Sequence, residues 1–175
     1  SKDGGANWKE ITPTDLPEWA LISVIEASPH DPATVYMAAT RYKLDDYSPY
    51  LYKSTDYGET WQKIDSFPES EITRVVREDP KQAGLLFVGT ETGIYVSFNA
   101  GNSWERLQGG GVPTNQLPVV PVYDLKVKND DLVIGTHGRS FWILDDITPL
   151  RTKAANVTES IYIHPPRVTH RQWLG

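Results

Sequence analysis

The chain has 175 residues, a formal net charge of −6 and a pI near 5.2, with 39% hydrophobic and 11% aromatic residues. That length suits one globular domain, the apolar content excludes disorder, and the acidic balance argues against nucleic acid or an anionic membrane as partner. With no cysteine there is no disulfide, thiolate nucleophile or cysteine-zinc site.

Read from the start, Ser1-Lys2-Asp3-Gly4-Gly5-Ala6-Asn7-Trp8 has the pattern S-x-D-x-G-x-x-W. Asp folds its side chain onto nearby backbone N–H groups, Gly supplies a positive φ, and Trp carries a large apolar surface toward a core. The pattern predicts a tight turn followed by a strand over 8–11. After Pro13 and Pro17 the apolar run 21–26 reads as a strand, and Ser28-Pro29-His30-Asp31-Pro32 as a turn. Residues 34–40 read as a buried strand, 41–49 as an inserted loop and 50–53 as a third strand. Then the octet returns as Ser54-Thr55-Asp56-Tyr57-Gly58-Glu59-Thr60-Trp61, opening a fourth strand over 61–64.

The next stretch copies this order. Residues 72–76 match 21–26, Glu78-Asp79-Pro80 matches His30-Asp31-Pro32, and 85–90 matches 35–40, with Gly89-Thr90 set against Ala39-Thr40. A third octet, Ser97-Phe98-Asn99-Ala100-Gly101-Asn102-Ser103-Trp104, has Asn99 in the Asp place. Beyond the Gly- and Pro-rich stretch 108–121, strands are expected at 122–127, 132–136 and 140–144, with Gly135-Thr136 repeating Gly89-Thr90. Asp145-Asp146 stands where a further octet would fall, and 161–163 is the candidate closing strand. Octets starting at Ser1, Ser54 and Ser97 give a period of roughly 40–50 residues with several short strands per unit, which points to propeller blades. No amphipathic helix is evident, so the fold class is all-β: a β-propeller segment of about three four-stranded antiparallel blades. The units are a stray last strand at 1–11, blades at 21–64 and 72–107, and a blade without the octet at 122–163. Trp8, Trp61, Trp104 and Trp142 are expected in the core.

The octets resemble the Asp-box, or BNR, repeat found in sialidases, xyloglucanases, sortilin-type propellers and photosystem assembly factors. The block Gly135-Thr136-His137-Gly138-Arg139-Ser140-Phe141-Trp142-Ile143-Leu144-Asp145-Asp146 is similar to one in large exported bacterial BNR-repeat proteins of the sortilin-like kind. The resemblance implies that the Asp box is a structural turn between the third and fourth strands of a blade, away from the ligand face. Ser1, Asp3, Gly5, Trp8, Ser54, Asp56, Gly58, Trp61, Ser97, Asn99, Gly101 and Trp104 are therefore assigned to structure. It also implies export, to the periplasm or beyond, although the chain shows no signal peptide and no apolar run of membrane-spanning length. Three units do not close a usual ring of about 4–8 blades. The chain reads as part of a longer one, or as copies that assemble to complete a ring.

No catalytic residue is assigned. A sialidase-like site would need an arginine triad, and Arg41, Arg74, Arg77, Arg106, Arg139, Arg151, Arg167 and Arg171 offer no recognisable set. A glycosidase pair could draw on Asp45, Asp46, Asp145 or Asp146, but neighbouring aspartates in a strand point to opposite faces. Candidate binding residues are His137 and Arg139, at a hairpin where a planar guanidinium and a titratable ring could hold an anion. The second group is Tyr42, Asp45, Asp46 and Tyr47, where tyrosines beside carboxylates could stack on a sugar ring. The structural alternatives are an Arg139 pair with Asp145, Asp146 or a neighbouring blade, and an exposed variable loop. His30, His164 and His170 make no metal pattern, and no cofactor is expected. The leading reading is a non-catalytic scaffold or interaction module for a protein or glycan, without nucleic acid or membrane. The alternative is part of a glycoside hydrolase, sialidase- or xyloglucanase-like, whose active site is completed elsewhere.

Overall fold

A computed structural model of the chain describes residues 1, 3–108, 117–155 and 163–164. The first sheet contains β1 (Leu21–Ala27), β2 (Val35–Arg41), β3 (Asp46–Ser54) and β4 (Gln62–Lys63), hydrogen-bonded in that order. The second repeats it with β5 (Thr73–Glu78), β6 (Leu86–Thr90), β7 (Ile94–Ser97) and β8 (Glu105–Arg106). The third has three strands among the described residues, β9 (Val122–Lys128), β10 (Asp131–Thr136) and β11 (Phe141–Leu144). All neighbouring strands are antiparallel. These sheets are blades 1, 2 and 3. The expected closing strand at 161–163 lies, apart from Ile163, outside the described residues.

The blades stack face on face. Tyr36, Ala38 and Leu51 of blade 1 share a buried cluster with Val76, Leu86, Val88 and Tyr95 of blade 2. The opposite face of blade 2, with Val75, Phe87, Ile94 and Val96, meets Val122, Leu125, Leu132 and Ile134 of blade 3. Each such side chain stabilises the fold by about 1.5–3 kcal/mol when fully buried. Central strands are thus buried on both faces, and β6 reads as a continuous apolar run for that reason.

Register corrects one alignment made on sequence. Val24 pairs with Ala38 and Val75 with Gly89, each just past a bulge in the inner strand. Ala38, not Ala39, is therefore the counterpart of Gly89. The turns between first and second strands hold seven residues in both blades, 28–34 and 79–85, so the alignment made on sequence was displaced by one residue, a slip that exchanges the two faces of a strand.

All three Asp boxes close through the same bonds. In the central one, the Ser54 hydroxyl donates to Asp56 Oδ1 at 2.7 Å and accepts from the Gly58 N–H at 2.9 Å. Asp56 Oδ1 also accepts from the Thr60 N–H at 2.9 Å. Asn99 does the same through its amide oxygen, accepting from Ser97 at 3.0 Å and from the Ser103 N–H at 2.9 Å. Only an acceptor oxygen is needed there, which is why Asn serves. Two consecutive residues take positive φ, Tyr57 at 61° with Gly58 at 83°, and Ala100 at 57° with Gly101 at 92°.

Three expectations change. Residues 8–11 form no strand, and Trp8 is 81% exposed rather than core. Trp61, Trp104 and Trp142 are half-buried, and the Trp61 ring N–H donates to the Ile11 carbonyl at 2.6 Å. After β11 comes a short helix, α1 (Thr148–Ala154), which seven residues with two buried positions could not signal by periodicity. Its Arg151 reaches the fully buried Asp79, with Nη2 to Oδ2 at 2.8 Å and Nε to Oδ2 at 3.0 Å, and also pairs with Asp130.

Candidate functional site

The inner strands β1, β5 and β9 each carry a bulge. The extra residue is Ser23 between the pairs of Ile22 and Val24, Arg74 between those of Thr73 and Val75, and Tyr123 between those of Val122 and Asp124. Bulges re-aim a side chain and are common beside binding sites. Thr73 pairs with Thr90 at the start of the β6–β7 hairpin, whereas Leu86, at the far end of β6, pairs with Ser97 where the Asp box begins. The bulges and the β2–β3, β6–β7 and β10–β11 hairpins therefore share one side of the molecule. The central and third Asp boxes lie on the other.

On the bulge side the Arg74 guanidinium is 4.1 Å from the centroid of the Tyr42 ring and 4.8 Å from that of Tyr123. Tyr123 in turn lies 5.0 Å from the His137 ring, tilted by 53°. Arg74 Nε donates to Glu91 Oε1 at 2.5 Å, and a second nitrogen completes the pair. Four hairpins and strands from three blades thus build one row, Tyr42, Arg74, Tyr123 and His137. Arg74 is buried, Tyr42 half-buried, and Tyr123 and His137 exposed. Glu91 neutralises the guanidinium, so the row is aromatic in character with carboxylate and imidazole groups at its margin.

The candidates named on sequence divide. Tyr42 and His137 join the row. Asp46 is engaged within its own hairpin, accepting from Tyr50 Oη at 2.6 Å and Arg41 Nη1 at 2.8 Å. The Tyr50 hydroxyl and then the neighbouring Ser48 and Arg41 donors hold its carboxyl at about 2, against the opposing effect of burial. Asp45 caps the short turn Tyr42–Leu44 with φ 56° and is exposed, as is Tyr47. Arg139 is exposed, and its carbonyl accepts from the Trp142 ring at 2.8 Å. No ion pair from Arg139 is present among the described residues. Arg74, Tyr123 and Glu91 were not singled out on sequence. The one signal was Arg74 itself, a charged residue inside the apolar run Ile72-Thr73-Arg74-Val75-Val76. Among the described residues no group of three His, Asp or Glu side chains is placed to hold a metal ion. A separate cleft of about 560 Å³ lies around Trp8 beside the first two Asp boxes, lined also by Asn7, Val35 and Tyr57.

The BNR/Asp-box repeat family model matches residues 52–63, the segment that holds the central turn. Solved structures add the blade architecture. A GH74 enzyme of Niastella koreensis superposes with a TM-score of 0.52 at 20% identity, over 71% of this chain and 21% of that one. An ancestral GH74 enzyme gives 0.52 at 24%, over 68% and 14%. The chain is an Asp-box repeat β-propeller. Among curated proteins it is 27% identical over 183 residues to a xyloglucanase of Acetivibrio thermocellus, which covers 91% of this chain and 20% of the relative. It is 34% identical over 65 residues to an oligoxyloglucan-reducing end-specific xyloglucanase of Emericella nidulans, over 34% of this chain and 8% of that protein. This propeller chain thus spans about one fifth of the first relative's length.

Proposed function

We propose that this propeller chain is a non-catalytic glycan-binding module, and that the row Tyr42, Arg74, Tyr123 and His137 is its platform. The observation that carries the reading is the Arg74 stack between two tyrosines. It locks both rings in place, so little side-chain freedom is lost when a sugar ring stacks on them. Glu91 and His137 then offer hydrogen bonds to hydroxyl groups. The similarity to xyloglucanases over most of the chain supports a β-glucan of xyloglucan type as ligand, and an exported location goes with such a ligand.

Two features favour binding over hydrolysis within this chain. Glycoside hydrolysis needs two carboxyl groups about 5–9.5 Å apart, one of them protonated near neutral pH. Asp46, held at about 2, is not such an acid, and Glu91 is tied to Arg74. A second reading, part of a hydrolase completed by further blades, is favoured by the same xyloglucanase similarity.

The test is calorimetric titration of the chain with xyloglucan oligosaccharides, alongside chitin and mannan oligosaccharides. Xyloglucan is expected to bind, and Tyr42→Ala or Tyr123→Ala to weaken it about tenfold, the equivalent of one aromatic contact. Absence of binding, or binding indifferent to both tyrosines, overturns the platform. Release of reducing ends by the chain alone would decide for the hydrolase.

A further inference from the structure

The stack that holds Tyr42 and Tyr123 leaves one edge of its cation unused. With a ring on either side, at 4.1 and 4.8 Å, the Arg74 guanidinium can be reached only along its rim. Nε and Nη2 both turn to Glu91 Oε1, and Nη1 has no partner among the described residues. The buried side-chain atoms left without a partner there are Arg41 Nε, Tyr52 Oη, Glu78 Oε2 and Trp104 Nε1. Arg74 Nη1 is not one of them, although Arg74 is only 8% exposed. This nitrogen therefore reaches the surface while the rest of the side chain is covered.

Glu91 is left in the matching state. Its Oε1 takes both contacts from Arg74, whereas Oε2 has no partner among the described residues and is not one of the sealed atoms. The Glu91 side chain is 26% exposed. Nη1 shares a carbon with Nη2, and Oε2 shares one with Oε1. A free donor and a free acceptor, each on a charged group, thus flank one ion pair within the aromatic row. Both are held in place. The rings fix the guanidinium, and the Glu91 N–H donates to the Ile72 carbonyl at 3.2 Å, tying the β6–β7 hairpin to the residue before β5.

A sugar ring stacked on a tyrosine presents its hydroxyls around its edge. A hydroxyl both donates and accepts, so two adjacent hydroxyls can take the Nη1 donor and the Oε2 acceptor together. Hydrogen bonds to charged groups are the stronger class, and groups already held in place lose little freedom on binding. A single hydroxyl, or two separated by a ring position, satisfies one of the two groups and leaves the other to water.

We infer, resting on the glycan-binding reading of this row, that the Arg74–Glu91 pair reads two adjacent free hydroxyl groups on the sugar. The pair then selects among glycans by linkage and substitution. A cellulose-type glucan keeps two neighbouring ring hydroxyls in every unit, and the side chains of xyloglucan, carried on the exocyclic carbon, leave them intact. In a laminarin-type glucan the linkage takes the middle one of the three ring positions, so no adjacent pair remains within the chain. In chitin an acetamido group replaces one member of the pair.

The test is calorimetric titration of the chain and two variants with xyloglucan, laminarin and chitin oligosaccharides of equal backbone length. The unaltered chain is expected to bind xyloglucan about tenfold tighter than either of the others, the equivalent of one hydrogen bond to a charged group. Glu91→Gln keeps an oxygen for Arg74 but turns the anionic acceptor into a neutral amide. Arg74→Lys keeps a cation for Glu91 but not the planar fork. Each is expected to cut the preference for xyloglucan about fivefold, with circular dichroism unchanged. If the preference survives in both variants, whether or not overall affinity drops, the pair only holds the rings and the inference fails. Equal affinity of the unaltered chain for all three, with Tyr42→Ala still weakening them, overturns the hydroxyl-reading pair and leaves the aromatic platform standing. No binding of any of the three overturns both.

Discussion

Arg74 and Tyr123 occupy the same bulge position in consecutive inner strands, and the guanidinium of one lies 4.8 Å from the ring centroid of the other. Two blades thereby meet through a cation and an aromatic face instead of an apolar pair. Tyr42 covers the other side of the same guanidinium.

Arg74→Ala should therefore release both rings and leave Glu91 without its partner. The expected loss of stability is about 1–2 kcal/mol, below the value for a fully buried pair because Glu91 remains partly solvated. Urea denaturation measures it. A parallel loss of glycan affinity, with Tyr42 and Tyr123 untouched, would show that the stack orients the rings; unchanged affinity would show that it does not.

The Arg151–Asp79 pair fastens α1 to the turn after β5. Asp79 is fully buried and Arg151 nearly so, so Arg151→Ala strands a carboxylate without its cation and should cost about 3–5 kcal/mol. Replacing both, with Arg151→Met and Asp79→Asn, which keeps an acceptor oxygen for the Lys81 and Gln82 N–H groups, should recover most of that loss. Equilibrium unfolding of the single and double variants separates the two outcomes, and a double variant as weak as the single would mean the pair contributes more than charge balance.

Close approach at Gly89 makes a contrasting pair of substitutions. Gly89→Ala forces a Cβ against Val75, Val122 and backbone and should destabilise by about 1–3 kcal/mol. Gly135→Ala meets only ordinary contacts and should leave the melting temperature within error. Thermal melts make the comparison.

In the central Asp box Ser54 is buried and serves as donor and acceptor at once. Ser54→Ala leaves the Gly58 N–H unsatisfied and should cost about 1–3 kcal/mol. The corresponding carboxylates give an acid signature. Asp56 is held at about 2, first by the Thr60 hydroxyl and then by the Thr60 N–H, and Asp3 at about 2 by Asn7. Their folded values lie below an unfolded value near ~3.9. Their contribution is therefore complete above that pH and is lost as pH falls from about 4 toward about 2. The melting temperature should drop across this window. Asp56→Asn, which keeps the acceptor oxygen that Asn99 uses, should soften the drop; an identical profile would remove Asp56 as a cause.

Much of the blade plan was legible along the chain. The octets at Ser1, Ser54 and Ser97 announce their turns because every bond that closes them runs between residues two to four apart. Strands β6 and β7 were equally plain, since burial on both faces demands unbroken apolar runs, whereas β5, which carries Arg74, Arg77 and Glu78, was read from its match to the run 21–26. Trp8 was misjudged: its motif predicts a turn faithfully, but core burial depends on what packs across from it. Helix α1 escaped because it is only seven residues long: Ile147, Leu150 and Ala154 pack on the core, but so short a run carries no readable period.

The candidate site was legible only in pieces. Tyr42 and His137 could be chosen as loop residues with useful side chains, but nothing along the chain joins them. What joins them is the bulge, which depends on how one strand pairs with its neighbour and shifts Arg74 and Tyr123 out of the alternating pattern. Local hydrogen bonding and apolar periodicity are written residue by residue, so sequence alone determined the Asp-box turns, the blade order and the all-β class. Register and the contact between blades depend on partners dozens of residues away. Only the tertiary structure could decide that Ala38 matches Gly89 and that Arg74 lies between two tyrosines.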